Sequence, residues 1–192
     1  MSESVQTRRL SQYSLPIKNR GTEPHGMQVH DAALVLVPAF QRTVRMYQET
    51  HPALKDLRLL VRRESPETLP ELKAEVKRGS LTVTYLHSET SIYGVPGNVW
   101  FRWHHDLGHV ITGLETKYRD ELALAELQLR HIAEAINGRG LSYQQRGFVL
   151  ACYMADTAAQ ADHYQEFGGF PDDQTAHVNQ CLKDWGWFQE NA

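Results

Sequence analysis

The side chains best suited to chemistry lie in one short segment, where His105, Asp106 and His109 are followed by Glu121. Imidazole nitrogens and carboxylate oxygens are the usual protein ligands of zinc, iron and manganese. An ion held in this way, with coordination positions left open, can polarise a carbonyl or phosphoryl oxygen or lower the pKa of bound water. The segment therefore predicts a divalent metal ion as cofactor, with zinc favoured and iron or manganese as alternatives.

A helix would have to position the first three of these residues. From Val99 onward the apolar residues recur at helical spacing, and Asn98 just before it is a suitable N-cap. His105 and His109 are four residues apart, so their imidazoles point the same way from the side opposite the apolar stripe. Asp106 is close enough to His109 to be a third ligand or to orient its ring.

Glu121 can reach the same ion only if this helix ends before it. In one uninterrupted helix, Glu121 would lie about 18 Å along the axis from His109. Gly113 is a suitable C-cap, and a second helix from residue 116 or 117 to about Asn137 could fold back against the first. Histidine is frequent in this chain, so a chance pair is the competing interpretation. The added Glu121 and the apolar pattern favour a metal site.

The run over residues 105–114, with residues 121–124 after it, resembles the H-D-x-x-H-x11-E metal motif of a ubiquinone (coenzyme Q) biosynthesis family, usually numbered fourth in its pathway. The resemblance is local to this segment. It implies a helical protein that binds a metal ion and modifies a prenylated aromatic ring at its carboxylated carbon. Carried over by position, the implied metal ligands are His105, Asp106, His109 and Glu121.

Residues 105–109 are also similar to the central segment of HD-type phosphohydrolases, which cleave nucleotides and other phosphoesters with a His…His-Asp…Asp set. That interpretation needs an upstream histidine, for which His87 and His51 are candidates. It also needs a downstream aspartate, for which Asp156 and Asp162 are candidates.

A third resemblance, over residues 98–113, is to uncharacterised proteins of phages and mobile elements. It implies a viral or bacterial origin and assigns no chemistry. The chain would then be a non-enzymatic interaction protein in which a structural metal ion holds the helices together.

A third long helix follows the capping box of Ser142 and Gln145. On a continuous helix, Asp156 and His163 are seven residues apart and share a face. They are the candidate catalytic residues, as proton carriers or substrate contacts near the ion, and Asp162 beside them is a further candidate. A helix with a polar outer face explains the same residues equally well.

The expected fold is mainly α, a bundle of about five to six helices with a small two-stranded β element. Residues 80–86 alternate apolar side chains with threonines as a strand does, and they could pair with residues 58–62. Pro38 should kink or divide the first long helix. Further helices are predicted over residues 29–48, 70–78 and 171–187.

Composition sets the remaining expectations. Residues 1–27 are polar and lack the apolar centre of a secretion signal, which predicts a flexible N-terminal arm before a single helical metal-binding domain over residues 28–192. No apolar run is long enough for a membrane span. Cys152 and Cys181 lack metal-type spacing, which favours reduced thiols in a cytoplasmic protein. A net charge of -3 gives no general case for nucleic-acid binding. The predicted metal-dependent enzyme would have a small-molecule substrate as its partner, and the oligomeric state is unspecified.

Overall fold

The computed structural model describes residues 26–188, which are mainly helical and contain one small sheet. The expected mainly-α class with a small β element is confirmed. The predicted arm, residues 1–27, lies outside the described residues except for Gly26 and Met27. The elements are α1 (Val29–Thr50), a 3-10 turn (Pro52–Leu54), β1 (Arg58–Arg62), α2 (Leu69–Lys77), β2 (Ser80–Thr84), α3 (Gly94–Thr112), α4 (Tyr118–Ala135), α5 (Tyr143–Asp156), α6 (Ala158–Phe167) and α7 (Gln174–Asp184).

The two strands form a β-α-β unit. β1 and β2 pair in parallel, with Leu59 opposite Leu81, and α2 makes the crossover between their ends. Thr68 and Glu71 form a reciprocal capping box at the start of α2, and Gly79 turns the chain into β2 with φ of 80°. The predicted pairing of these segments is therefore confirmed.

Two apolar clusters make up the core. The first joins α1, α4, α5, α6 and α7 and includes the fully buried Phe40 and Tyr153. The second lies where the strands and α2 meet α3 and the end of α1, and includes Trp103 and Leu107. The apolar stripe of α3 thus packs into the second cluster, while Phe101 lies at the edge of the first.

The N-terminus of α3 differs from the prediction. The helix begins at Gly94 rather than Val99, and Asn98 lies inside it with 3% exposure. The Asn98 side chain donates to Ser88 Oγ at 2.9 Å and accepts from Ser91 Oγ at 3.3 Å. The N-cap prediction for Asn98 is wrong because buried hydroxyls of the preceding loop satisfy an amide that would otherwise compete with helix formation.

The sequence predicts a kink or a division of α1 at Pro38 and an unbroken third long helix. α1 continues through Pro38, whereas the third long helix divides at Thr157 into α5 and α6. The Thr157 hydroxyl donates to Tyr153 O at 2.8 Å, and the Thr157 backbone leaves the helical region with ψ of -81°. Because the break falls between Asp156 and His163, the argument that both lie on one continuous helical face is wrong.

Candidate metal centre

The structure brings His105, His109 and Glu121 together at the junction of α3 and α4. The two histidines lie one turn apart near the end of α3, and Glu121 lies in the first turn of α4. Gly113 ends α3 in the left-handed conformation with φ of 75°, and its N–H donates to His109 O at 2.8 Å. The predicted C-cap is confirmed, and it is this turn that lets α4 fold back over the histidines.

The distances between the three side chains match those of ligands on a shared ion. The two Nε2 atoms are 3.1 Å apart, and the Glu121 oxygens lie 3.2 Å from His105 Nε2 and 3.3 Å from His109 Nε2. Donor atoms bound to one tetrahedral zinc ion at about 2.0–2.1 Å are separated from each other by roughly 3.3 Å. These three residues could therefore hold a metal ion with little movement.

Neighbouring groups orient both imidazoles. His109 is 1% exposed, and its Nδ1 is 2.9 Å from Leu114 O. Since a carbonyl can only accept, Nδ1 carries a proton, and Nε2 is the nitrogen that an ion could bind once it is deprotonated. Phe101, one turn before His105, stacks against the His105 ring with centroids 5.9 Å apart. The imidazole of His105 is 22% exposed and Glu121 is 24% exposed, so the site has a side that solvent can reach.

The electrostatics of the three groups are coupled. Burial raises the pKa of Glu121, but the charges and hydrogen bonds of the imidazoles of His105 and His109 outweigh it, and the pKa falls below its usual value. Burial lowers the pKa of His105, yet the carboxylate of Glu121 outweighs that effect and raises it. Without an ion the site therefore attracts protons, and a metal ion would have to displace them.

Asp106, the fourth ligand that the sequence motif implies, is not among the side chains that converge. The ligand atoms that lie within 4.8 Å of one another belong to the other three residues. Asp106 is half-buried, and burial raises its pKa to about 6, although the charges of His105, His109 and Arg102 lower it. Its role as a ligand stays a prediction.

Asp156, one of the two candidate catalytic residues, is buried at the end of α5 with 4% exposure. Gln160 donates to its Oδ1 at 2.8 Å. Burial raises the pKa of Asp156 to about 7, against the opposing effects of Tyr93, Gln160, Arg102 and His105. Asp156 thus interacts electrostatically with the histidine end of the site and is half-ionised near neutral pH.

His163, the other candidate, lies in a different environment. Its Nδ1 is 2.9 Å from Gly169 O, and its ring packs against Phe167 and His177. The structure does not bring it to the three converging ligands. Asp162 instead accepts a hydrogen bond from the Tyr118 hydroxyl, which ties α6 to the first residue of α4.

A buried polar layer beneath the site was missed by sequence reasoning. Gln128 of α4 is fully buried, donates to His104 O at 2.7 Å and accepts from the Tyr153 hydroxyl at 3.2 Å. This contact needs Gly108, because a Cβ there would lie 2.3 Å from Gln128 Nε2 and 2.8 Å from Leu124 Cδ1. The one signal in the sequence was a glycine in the middle of a predicted helix, which indicates a close approach of another element.

No known protein family has a model that matches this chain, and neither a curated protein nor a solved structure matches it. Over residues 26–188, no helix has the length and apolar character needed to cross a bilayer.

The residues that an HD-type phosphohydrolase would need are not gathered at the three ligands. His51 follows the end of α1, and His87 is exposed in the loop after β2 with φ of 56°. Neither they nor Asp156 and Asp162 belong to the group of converging ligand atoms in the described part of the chain.

Both cysteines, Cys152 and Cys181, are free and buried.

Proposed function

We propose that this protein is a metal-dependent enzyme in which His105, His109 and Glu121 hold one divalent cation that acts on a small-molecule substrate. The observation that carries this proposal is the convergence of the three side chains at 3.1–3.3 Å. Structural zinc sites usually have four protein ligands, whereas catalytic sites have three and keep a position for water or substrate. Three converging ligands with a solvent-accessible side support a catalytic centre.

Two of the ligands and one nearby carboxyl group have defined roles in the proposed site. Glu121 supplies negative charge that offsets the charge of the cation, and His109 is held in the ligating tautomer by Leu114 O. When bound, the ion would polarise a substrate oxygen or lower the pKa of water. Asp156 would hold or accept the proton, because a carboxyl with a pKa of about 7 can do both near neutral pH. His163 was the other sequence candidate for that role, and the electrostatic interaction of Asp156 with His105 favours Asp156.

The ligand set indicates which metal ions could bind and which reactions they could support. Two histidines and one carboxylate are the set of many catalytic zinc sites, and also of iron sites that use oxygen. Zinc suits hydrolysis or a lyase-type reaction, whereas iron or manganese would suit modification of an aromatic ring. The likeness of residues 105–121 to the ubiquinone-biosynthesis motif supports a carboxylated aromatic ring as substrate in either case.

The first experiment is elemental analysis of protein purified without an affinity tag. We expect close to one bound ion per chain, lost in the His105→Ala/His109→Ala variant and retained in His30→Ala, whose histidine is exposed on α1. Absence of metal from the unaltered protein, with no uptake of zinc, iron or manganese on titration, would contradict the proposal.

Activity assays then separate the candidate functions. A screen of phosphate esters with added manganese tests the phosphohydrolase alternative, and prenylated aromatic carboxylates test modification of an aromatic ring. If the metal ion has only a structural role, chelation should unfold the protein. If the unaltered protein and the His105→Ala/His109→Ala variant have equal activity, the ion has no catalytic role.

A further inference from the structure

The outer edge of β1 has backbone groups without partners in the described structure. Arg58 N–H donates to Gly79 O at 3.1 Å, which sets the phase of the parallel pairing. In this register, every second residue of β1, starting with Arg58, directs its backbone N–H and C=O groups toward β2. Leu59 and Val61, which lie between them, direct theirs away from β2. Within residues 26–188, nothing hydrogen-bonds to these outward groups of Leu59 and Val61.

The opposite edge of the sheet is already closed. Thr82, at the centre of β2, turns its backbone away from β1, and its N–H donates to Glu75 Oε2 at 2.7 Å. The Thr82 hydroxyl donates to the other oxygen of the same carboxylate at 3.2 Å. α2 thus caps the β2 edge, and a further strand can add to this sheet only beside β1.

The side chains of β1 indicate which kind of strand would fit. Arg58 and Arg62 are exposed on one face of the strand, and the side chain of Val61 on the other face is 45% exposed. Among the described ion pairs, none involves Arg58, Arg62 or the neighbouring Arg63. The edge therefore offers unpaired positive charge on one face and uncovered apolar surface on the other.

We propose that the β1 edge binds an extended peptide segment of a partner protein, in which acidic and apolar side chains alternate. Main-chain hydrogen bonds to Leu59 and Val61 would provide affinity, as in other cases of strand addition to a sheet edge. Acidic side chains would face Arg58 and Arg62, and apolar ones would cover Val61.

A second copy of this chain fits the same edge less well. Antiparallel pairing of β1 with itself about Leu60 would place Arg58 directly opposite Arg62 of the other copy. Like charges at directly opposed positions destabilise a strand pair. The charge pattern thus favours a partner of opposite charge.

Hydrogen exchange of the full chain tests the proposal with the blocked peptide Glu-Val-Glu-Val-Glu as probe. The amides of Leu59 and Val61 should exchange readily alone and become protected when the peptide is added. The amides of Leu60 and Arg62, which already bond β2, should change little. The blocked peptide Lys-Val-Lys-Val-Lys should bind roughly tenfold more weakly or worse. Protection of Leu59 and Val61 without peptide would overturn the proposal, because the edge would already be covered.

Two variants complete the test by calorimetric titration with the same peptides. Val61→Pro removes one outward N–H and no bond between the strands, and should abolish binding. Arg58→Glu/Arg62→Glu should reverse the preference between the acidic and basic peptides. The control Arg139→Glu, in an exposed turn after α4, should bind as the unaltered protein does. Failure of both peptides to bind, or equal binding by the unaltered protein and the charge-reversed variant, would overturn the proposal.

Discussion

At the scale of single residues, the site depends on charges that balance one another. Glu121 lies against two imidazoles, and its pKa falls because they outweigh the effect of burial. Asp156 forms none of the ion pairs found among residues 26–188, and burial raises its pKa to about 7. The two carboxyl groups therefore have pKa values shifted in opposite directions, as the proposed roles of metal ligand and proton carrier require.

Loss of the Glu121 charge should weaken metal binding with little effect on folding. Glu121→Gln keeps the shape of the side chain but removes the anionic oxygen. Because loss of residues that only support a ligand costs 10–100-fold in metal affinity, we expect a loss of at least roughly a hundredfold for a ligand. Competition with a chromogenic chelator measures it, and Glu126→Gln, exposed on the same helix, is the control. Equal affinities of the two variants would remove Glu121 from the site.

Asp156 should make the protein less stable as pH rises. Its pKa in the folded state is raised, so the folded protein binds a proton that the unfolded chain releases near pH 4. The free energy of unfolding should therefore fall between about pH 4 and 7, by up to roughly 4 kcal/mol from this group. Asp156→Asn should flatten that slope in denaturant titrations with chelator present, whereas Asp172→Asn, an exposed control, should not. An unchanged slope in Asp156→Asn would contradict the raised pKa.

If Asp156 moves the proton in the proposed reaction, its removal has a second consequence. We expect Asp156→Asn to reduce kcat by roughly 10²–10⁴-fold while the bound metal stays in place. The pH profile should also lose the ionisation near 7. A variant that loses its metal content along with its activity would indicate a structural part for Asp156 instead.

At the scale of the elements, the site requires close contact between α3 and α4. Gly108 allows that contact, with Gln128 and Leu124 occupying the space that a side chain would need. Gln128 then joins the backbone of α3 to Tyr153 of α5, so three helices share one buried polar connection. This packing holds the candidate ligands of α3 and α4 close to one another.

Gly108→Ala should therefore disturb both the fold and the metal site. The added methyl group overlaps buried atoms and should cost about 1–3 kcal/mol of the free energy of unfolding. It should also weaken metal binding, because α4 would have to move and carry Glu121 away from the histidines. Gly169→Ala is the control, since its Cβ would meet nothing within 4 Å. Unchanged thermal unfolding and metal affinity in Gly108→Ala would show that the helix contact is looser than described.

At the scale of the whole molecule, the candidate metal centre lies beside the boundary of the two apolar clusters. α3 packs into the second cluster, whereas α4 belongs to the first. An ion held between α3 and α4 would thus add a further connection between the two parts of the core. Binding to the folded state alone also stabilises a protein in proportion to the logarithm of ligand concentration.

Metal removal should accordingly lower the melting temperature without unfolding the protein at room temperature. A metal concentration one hundred times Kd corresponds to about 2.7 kcal/mol of stabilisation. Differential scanning calorimetry with and without chelator should show this difference in the unaltered protein and none in His105→Ala/His109→Ala. Complete loss of helical structure on chelation at room temperature would support the structural-metal alternative instead.

Local geometry was available from the sequence alone. The four-residue spacing of His105 and His109, the C-cap at Gly113 and the capping box of Ser142 depend on residues that are neighbours in the chain, and the structure confirms each of them. A helix turn has a fixed pitch, so such contacts follow from spacing without knowledge of the rest of the fold.

Tertiary packing decided the contacts between elements. The approach of Glu121 to both histidines was an inference that depended on how α4 folds back. The break at Thr157, which puts Asp156 and His163 on different helices, is indicated by no spacing rule. Gln128 was invisible in the sequence because its partners lie on other helices. The physical reason is that the direction of one helix relative to another is set by the fit of buried side chains, which is a property of the whole core.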